Sequence, residues 1–114
     1  GDHRDLLSFP TRRSSDLTMG MEKGNCYGVA SAFAVQAKRA TGLPVRVCWG
    51  KSNVFNKNKW QPHGWTEIKI GNTWYTFDAN AAGNKSRKDV KYYMQKSSSM
   101  KKYYKTEGRE DIVL

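Results

Sequence analysis

The sequence has too few cysteines for a disulfide framework, and its cysteines and histidines lack the spacing of a zinc site. Its 114 residues include only two cysteines and two histidines. Cys26 and Cys48 fall on a predicted helix and a predicted strand, and nothing indicates that they pair, so the redox state of the compartment stays open. A zinc site normally contains a close ligand pair such as C-x₂-C, and Cys26, Cys48, His63 and Asp78 include no such pair. We therefore expect no bound metal.

Long apolar runs are also missing. No stretch of about 18 apolar residues occurs, which predicts no membrane-spanning helix, and the start of the chain lacks the apolar segment of a secretory signal. The length suits one domain with a modest core. The apolar content is concentrated in large side chains, with four Trp, six Tyr and four Phe.

Acidic residues are scarce, and the formal net charge is +10. Residues 1–17 are neutral overall, so the excess lies in residues 18–114 and is densest in 85–105, where eight basic residues accompany Asp89 alone. Such a surface attracts polyanions non-specifically, including nucleic acid, anionic lipid and acidic cell-wall polymers. A solvated basic face is the simpler interpretation.

Residues 1–17 have no hydrophobic period and offer no face to a core. The segment from Ser8 to Leu17 resembles the translation of a short-read sequencing adapter. We interpret 1–17 as a non-native arm and 18–114 as the domain, with its native beginning missing. The alternative is a natural flexible arm.

The clearest predicted element is a helix from Lys23 to Thr41. Asn25 is a suitable N-cap, and Gly42 and Pro44 end the helix. An apolar stripe with helical spacing follows the cap: Cys26, Val29, Ala30, Phe33, Ala34 and Ala37.

Three strands are predicted after the helix, at residues 45–49, 65–70 and 73–77. Gly71-Asn72 is a two-residue hairpin turn between the second and third. Residues 51–61 and 79–88 are predicted loops, and 90–94 a short strand or helix. The polar segment from 100 to 114 receives no assignment.

Cys26 is predicted at the start of a helix, where unpaired N–H groups and the helix dipole favour a thiolate. A nucleophilic thiolate needs a base beside it and a third group to orient that base. His63 and Asp78 follow in that order. The hypothesis is therefore a Cys26–His63–Asp78 triad.

The hairpin register gives this hypothesis a geometric basis. If Ile70 faces Thr73, then Trp65 faces Asp78, and His63 becomes a diagonal neighbour of Asp78 on the same face. We expect Nδ1–H of His63 to bind Asp78 and Nε2 to face the sulfur. One bulged residue would put the two side chains on opposite faces.

Each of these residues also has a structural alternative. Cys26 lies on the apolar stripe of its helix and is suited to a buried position. A histidine at a strand end is usually structural, and an aspartate that closes a strand usually serves a turn. Cys48, in the middle of a predicted strand, is expected in the core.

Four segments occur in one order and spacing: Gly24-Asn25-Cys26-Tyr27, Gly42-Leu43-Pro44-Val45-Arg46-Val47, His63-Gly64-Trp65-Thr66-Glu67 and Trp74-Tyr75-Thr76-Phe77-Asp78. Together they resemble the bacterial transglutaminase-like domain, most closely the versions on secreted or wall-associated proteins of Gram-positive bacteria. The resemblance covers about residues 19–80.

The resemblance implies a papain-like α+β core, in which a helix bearing the nucleophile packs on an antiparallel sheet. It also implies a triad of Cys26, His63 and Asp78, no cofactor, a protein or peptide substrate and an extracellular or cell-wall location. Helical sequence that normally precedes the cysteine in this family is missing here. The backbone N–H of Cys26 is then the one oxyanion donor that we can name.

The predicted function is thiol-dependent acyl transfer or hydrolysis of protein or peptide amides through a thioester. Trp65, Trp49 or Trp60 would wall the cleft or pack in the core, and Asn25 would support the nucleophile. The main alternative is a non-catalytic basic binding module of the same fold on a cell surface, with an anionic cell-wall polymer as partner. Nucleic-acid binding through Lys85–Lys105 and its tyrosines is the weaker third hypothesis.

Overall fold

The computed structural model describes residues 25–84 and 86–114. Within them, helix α1 (Asn25–Thr41) packs on a five-stranded antiparallel sheet of order β4-β3-β2-β1-β5. The strands are β1 Val45–Ser52, β2 Gln61–Ile70, β3 Thr73–Phe77, β4 Gln95–Lys96 and β5 Tyr104–Asp111. A short helix, α2 (Ala79–Ala82), follows β3, and a 3-10 turn (Ser97–Ser99) follows β4. This is the predicted α+β fold. The predicted arm at 1–17 and the predicted helix start at Lys23 lie outside the described residues.

Helix α1 ends where the sequence predicts. Gly42 has a positive φ of 70° and donates its N–H to the Lys38 carbonyl oxygen at 2.8 Å, which closes the last turn. The ammonium of Lys38 donates to the Leu43 carbonyl oxygen, so a cation sits at the negative end of the helix dipole. No helix among the described residues is both long and apolar enough to cross a membrane.

One face of the sheet holds α1. The buried apolar residues of this layer are Ala30, Ala34, Val35, Val45, Val47, Ile68 and Ile112. Thr66 on β2 donates its hydroxyl to the Ala30 carbonyl oxygen at 2.8 Å, which pins the middle of α1 to the middle of the sheet.

A second buried cluster contains the alternate strand side chains Cys48, Trp65 and Tyr104, together with Val54, Ala81, Val90 and Met100 from outside the strands. Cys48 is fully buried, which confirms its predicted place in the core, and burial raises the pKa of its thiol. The two clusters lie on opposite faces because Cys48 and Trp65 alternate with Val47 and Thr66 along β1 and β2.

The β2–β3 hairpin has the predicted register. Gly71 turns the chain with a φ of 66°, and Ile70 pairs with Thr73. β2 begins at Gln61, earlier than predicted, so His63 lies inside a strand and not before one.

Several segments outside the helix and the hairpin also differ from the prediction. β1 continues to Ser52, into the predicted loop at 51–61. Residues 90–94 form neither strand nor helix; they follow an irregular path with Met94 at a φ of 57°. The predicted loop at 79–88 begins instead with α2. The unassigned segment 100–114 contains β5, which pairs with β1 along the edge of the sheet.

Candidate active site

Cys26 is the second residue of α1 and is partly exposed. Its position in the first helical turn puts the thiol beside backbone N–H groups that have no partner within the helix. Both cysteines are free thiols. Asn25 is the first residue of the helix, and the capping role expected of its side chain stays a prediction.

The thiol is brought close to β2 by a glycine. A methyl group at position 64 would lie 3.0 Å from the Tyr27 Cα and 3.5 Å from the Cys26 carbonyl oxygen. Gly64 therefore allows the start of α1 to touch the strand backbone, one residue from His63.

The site forms where β3 leaves the sheet. The β2–β3 ladder ends at the pair Thr66–Phe77, so within the described residues the first part of β2 has no β3 partner. At this gap the chain turns through Asp78 into α2, whose Asn80 reaches the Cys26 sulfur. At this gap the Cys26 side chain, from α1, approaches Asn80 and His63.

His63 is fully buried against aromatic rings. Its ring centroid lies 5.1 Å from that of Phe55 in an edge-on contact, and 6.1 Å and 6.2 Å from those of Trp65 and Tyr104 in stacked ones. Trp65 is 1% exposed and packs in the core under the histidine, and its predicted part in the cleft stays a prediction. These rings hold the imidazole plane in one orientation.

Trp49 and Trp60 lie elsewhere. Trp49 packs edge-on against Tyr27 at 5.8 Å, next to the start of α1. Trp60 lies under the Lys105 ammonium, 4.2 Å from the ring centroid. Their predicted role as cleft walls stays a prediction.

Asp78 is also fully buried and accepts three hydrogen bonds. Oδ2 lies 2.7 Å from Nε2 of His63 and accepts the Tyr104 hydroxyl at 2.6 Å, while Oδ1 accepts the Ala81 N–H at 3.0 Å. The three bonds fix the carboxylate. Burial and the charge of Asp78 raise the pKa of Tyr104, so its hydroxyl stays protonated and donates.

The expected roles of the two imidazole nitrogens were wrong. Nε2 meets Asp78, and Nδ1 is the nitrogen left for the thiol. The reason is reach: Asp78 lies beyond the end of the ladder, and Nε2 is the ring nitrogen farther from the β2 backbone. Nδ1 is buried and has no partner with hydrogen-bond geometry. The Cys26 sulfur is close enough to act on the imidazole electrostatically.

The electrostatics favour a protonated imidazole. Burial alone lowers the pKa of His63, because it penalises the cation. The hydrogen bond to Asp78 and the interaction with the Cys26 thiol outweigh burial and raise the pKa to about 9. His63 is therefore a cation at neutral pH, beside a partly exposed thiol at a helix N-terminus.

Two residues at the site were not singled out from the sequence. Asn80 donates its side-chain amide to the Cys26 sulfur, with 2.7 Å between Nδ2 and Sγ. Tyr104, at the start of β5, donates to Asp78. Continued beyond its last pair, the register of the β2–β3 hairpin sets Asn80 opposite His63, and this was the available signal. Tyr104 had none.

An open groove of about 1200 Å³ adjoins the site. Phe55, which touches His63, and Asn84, which hydrogen-bonds Asn80, both line it. The groove is also lined by charged side chains: Lys57, Arg87, Lys88 and Asp89.

No group of three or more His, Cys, Asp or Glu side chains with metal-ligand geometry occurs in residues 25–84 and 86–114. Both carboxylate oxygens of Asp78 accept hydrogen bonds from the protein.

A cysteine on a helix that packs on an antiparallel sheet, with a buried histidine–carboxylate pair on that sheet, defines a papain-like α+β domain. A scan against protein-family models matches residues 3–79 to the transglutaminase-like superfamily. Because the match covers more than half of the chain, the chain belongs to this superfamily, as its motifs predicted. Asn80 and Tyr104 lie beyond the matched segment.

Searches of curated proteins and of solved structures found no match. Transglutaminase-like proteins are generally cysteine-dependent enzymes, so membership indicates thiol-dependent acyl-transfer or protease-like chemistry.

Proposed function

We propose that Cys26, His63 and Asp78 form a catalytic triad for acyl transfer from protein or peptide amides. The observation that carries the proposal is the buried 2.7 Å contact between His63 Nε2 and Asp78, which leaves Nδ1 as the ring nitrogen available to the Cys26 thiol. An unpartnered buried ring nitrogen is costly in a purely structural site. It is useful in a site where that nitrogen exchanges a proton with a nucleophile.

The chemistry follows from these positions. His63 holds the proton of the Cys26 thiol, and the thiolate attacks the amide carbonyl carbon. The carbonyl π pair moves to oxygen and then returns, the carbon–nitrogen bond breaks, and His63 gives its proton to the leaving amine. Asp78 keeps the imidazole in place and stabilises its cation.

The thioester is then attacked by a second nucleophile, from which His63 takes a proton. A lysine-type amine gives transamidation, and water gives hydrolysis. The triad performs the same steps in both cases. The open groove beside the site gives an extended peptide room to bind, and the charged side chains in its lining suit a protein surface as substrate. A bacterial cell-surface location stays a prediction.

The test compares the two cysteines of one chain. Iodoacetamide at pH 6 should alkylate Cys26 far faster than Cys48, which is buried and has a raised pKa. Asp78→Asn removes the charge that holds His63 as a cation and should slow Cys26 labelling by roughly tenfold or more. The matched control is Asp111→Asn, the same change at an exposed end of β5. Equal, slow labelling of both thiols would refute the triad.

The non-catalytic module remains a second candidate because the basic segment is exposed. Lysines on this surface lie in solvent: Lys88, Lys91, Lys96, Lys101, Lys102 and Lys105. Of the four tyrosines in this segment, Tyr104 is buried under His63, Tyr92 and Tyr103 are half-buried and Tyr93 is exposed, so binding of single-stranded nucleic acid stays the weaker hypothesis. Salt-dependent retention on an anionic polymer by a Cys26→Ala variant would support the binding module.

A further inference from the structure

We propose that the side-chain amide of Asn80 is an oxyanion-hole donor that acts together with the backbone N–H of Cys26. The inference rests on the proposed acyl-transfer function and assigns one more residue to it. In the structure Asn80 Nδ2 lies 2.7 Å from Cys26 Sγ, so a donor already touches the reacting atom.

The orientation of the Asn80 amide follows from its neighbour. Asn84 contacts the main-chain carbonyl oxygen of Asn80 at 2.7 Å, and a carbonyl oxygen only accepts, so the Asn84 atom must be its NH₂ group. The same NH₂ lies 2.7 Å from the Asn80 side chain, which must therefore present its oxygen there. The Asn80 NH₂ group is then the end that faces the sulfur. Asn84 is a positioning residue that acts through Asn80.

Hydrogen bonds of Asp78 also hold the backbone of the helix that carries Asn80. Asn80 lies in α2, and Asp78 caps this helix by accepting the Ala81 N–H at 3.0 Å. The N–H of Asp78 itself donates to the Tyr92 carbonyl oxygen at 2.7 Å. One carboxylate therefore orients His63 on one side and positions the Asn80 amide on the other, so the base and the amide are placed by the same group.

The amide suits the oxygen that develops during attack. When the thiolate bonds to the carbonyl carbon, the new oxyanion is two bonds from the sulfur. A donor that touches sulfur in the resting site shifts to this oxygen by a small side-chain rotation. As the carbonyl π pair moves to oxygen, the N–H groups of Asn80 and Cys26 stabilise the charge, and they release it when the pair returns and the amine leaves. Asn80 neither gains nor loses a proton.

The experiment compares two reagents, of which only one reacts through an oxyanion. Acylation of Cys26 by 4-nitrophenyl acetate passes through an oxyanion, whereas alkylation by iodoacetamide does not. Asn80→Ala should lower the acylation rate constant by about 10²- to 10³-fold, the usual cost of one oxyanion donor, and alkylation much less. The ratio of the two rate constants is the readout, because a general loss of thiolate or of fold lowers both together.

Three further variants make the result decisive. Asn80→Asp keeps the shape of the side chain but replaces the donor, and should lower the ratio at least as much as Asn80→Ala. Asn84→Ala leaves Asn80 in place but unoriented, and should lower the ratio by a smaller factor. Asn58→Ala, the same substitution in an exposed loop, should leave both rate constants unchanged.

The outcomes separate the inference from the function on which it rests. A wild-type chain whose acylation matches Cys26→Ala would overturn the acyl-transfer proposal. Wild-type acylation that depends on Cys26 and survives in Asn80→Ala would overturn the role of Asn80 alone. Equal losses of acylation and alkylation would likewise overturn it, since Asn80 would then act only on the thiolate.

Discussion

Gly64→Ala tests whether the close approach of α1 to β2 positions the nucleophile. The added methyl group would lie 3.0 Å from the Tyr27 Cα and 3.3 Å from the Tyr27 nitrogen. Carbon atoms in contact normally lie about 3.5–4.0 Å apart, so the start of α1 must move by roughly 0.5 Å. Both near neighbours are backbone atoms, and no side-chain rotation relieves the contact.

The displacement moves only one residue of the proposed triad, Cys26. Cys26 moves with the helix, while His63 is held by Asp78 and by three aromatic rings. Since a misplacement of about 1 Å costs on the order of 10²-fold in rate, about 0.5 Å should cost on the order of tenfold. Overpacking should also lower the free energy of unfolding by about 1–3 kcal/mol.

The assay is the Cys26-dependent release of 4-nitrophenolate from 4-nitrophenyl acetate, with thermal unfolding measured on the same samples. Gly28→Ala is the matched control: it adds the same methyl group to α1 itself, where no atom lies within 4 Å. Replacing a helical glycine by alanine should stabilise by about 0.5–1 kcal/mol and leave the rate unchanged. A folded Gly64→Ala variant with the wild-type rate would refute the reasoning.

Two further predictions concern the charge of His63. Cys26→Ser removes the thiol that helps raise the pKa of His63 to about 9, so the pKa of His63 should fall. NMR titration of the imidazole measures this pKa. An unchanged pKa would assign the whole shift to Asp78 and contradict the prediction. Because the folded pKa lies above the ordinary value of 6.5, the protonated histidine stabilises the fold fully below about pH 6.5, and this contribution is lost as the pH rises through about 9. This contribution amounts to at most roughly 3 kcal/mol. The difference in free energy of unfolding between wild type and His63→Gln, measured with urea, should therefore narrow between pH 6.5 and 9.5. A difference that stays constant over this range would contradict the prediction.

The parts of the fold that were predictable are governed by neighbours along the chain. The register of the β2–β3 hairpin follows from the two-residue turn at Gly71, and the end of α1 from Gly42. β5 was missed because it is an edge strand: Tyr104 is buried, but most residues after it point to solvent and are charged or polar. An edge strand of this kind lacks the alternating pattern by which strands are recognised.

The candidate site was predictable to a similar extent. The pairing of His63 with Asp78 followed from the alternation of strand side chains, even though the ladder ends before their positions. Which ring nitrogen of His63 meets Asp78 could not be predicted in this way, because it depends on the distance between two backbone segments at the gap where β3 ends. Asn80 and Tyr104 reach the site through contacts that span 54 and 26 residues of sequence, and such contacts leave no local pattern.

The position of Tyr104 has a consequence for the order in which the site is assembled during synthesis. Asp78 leaves the ribosome 26 residues before the tyrosine that completes its hydrogen bonds. At ordinary rates of translation this interval is about 1–5 s. Throughout it β1 has an open edge and the carboxylate lacks one of its three donors. The emerging chain therefore carries its Cys26 thiol before the hydrogen bonds of Asp78 are complete. Under the proposed function, the docking of β5 sets the time at which the site is complete.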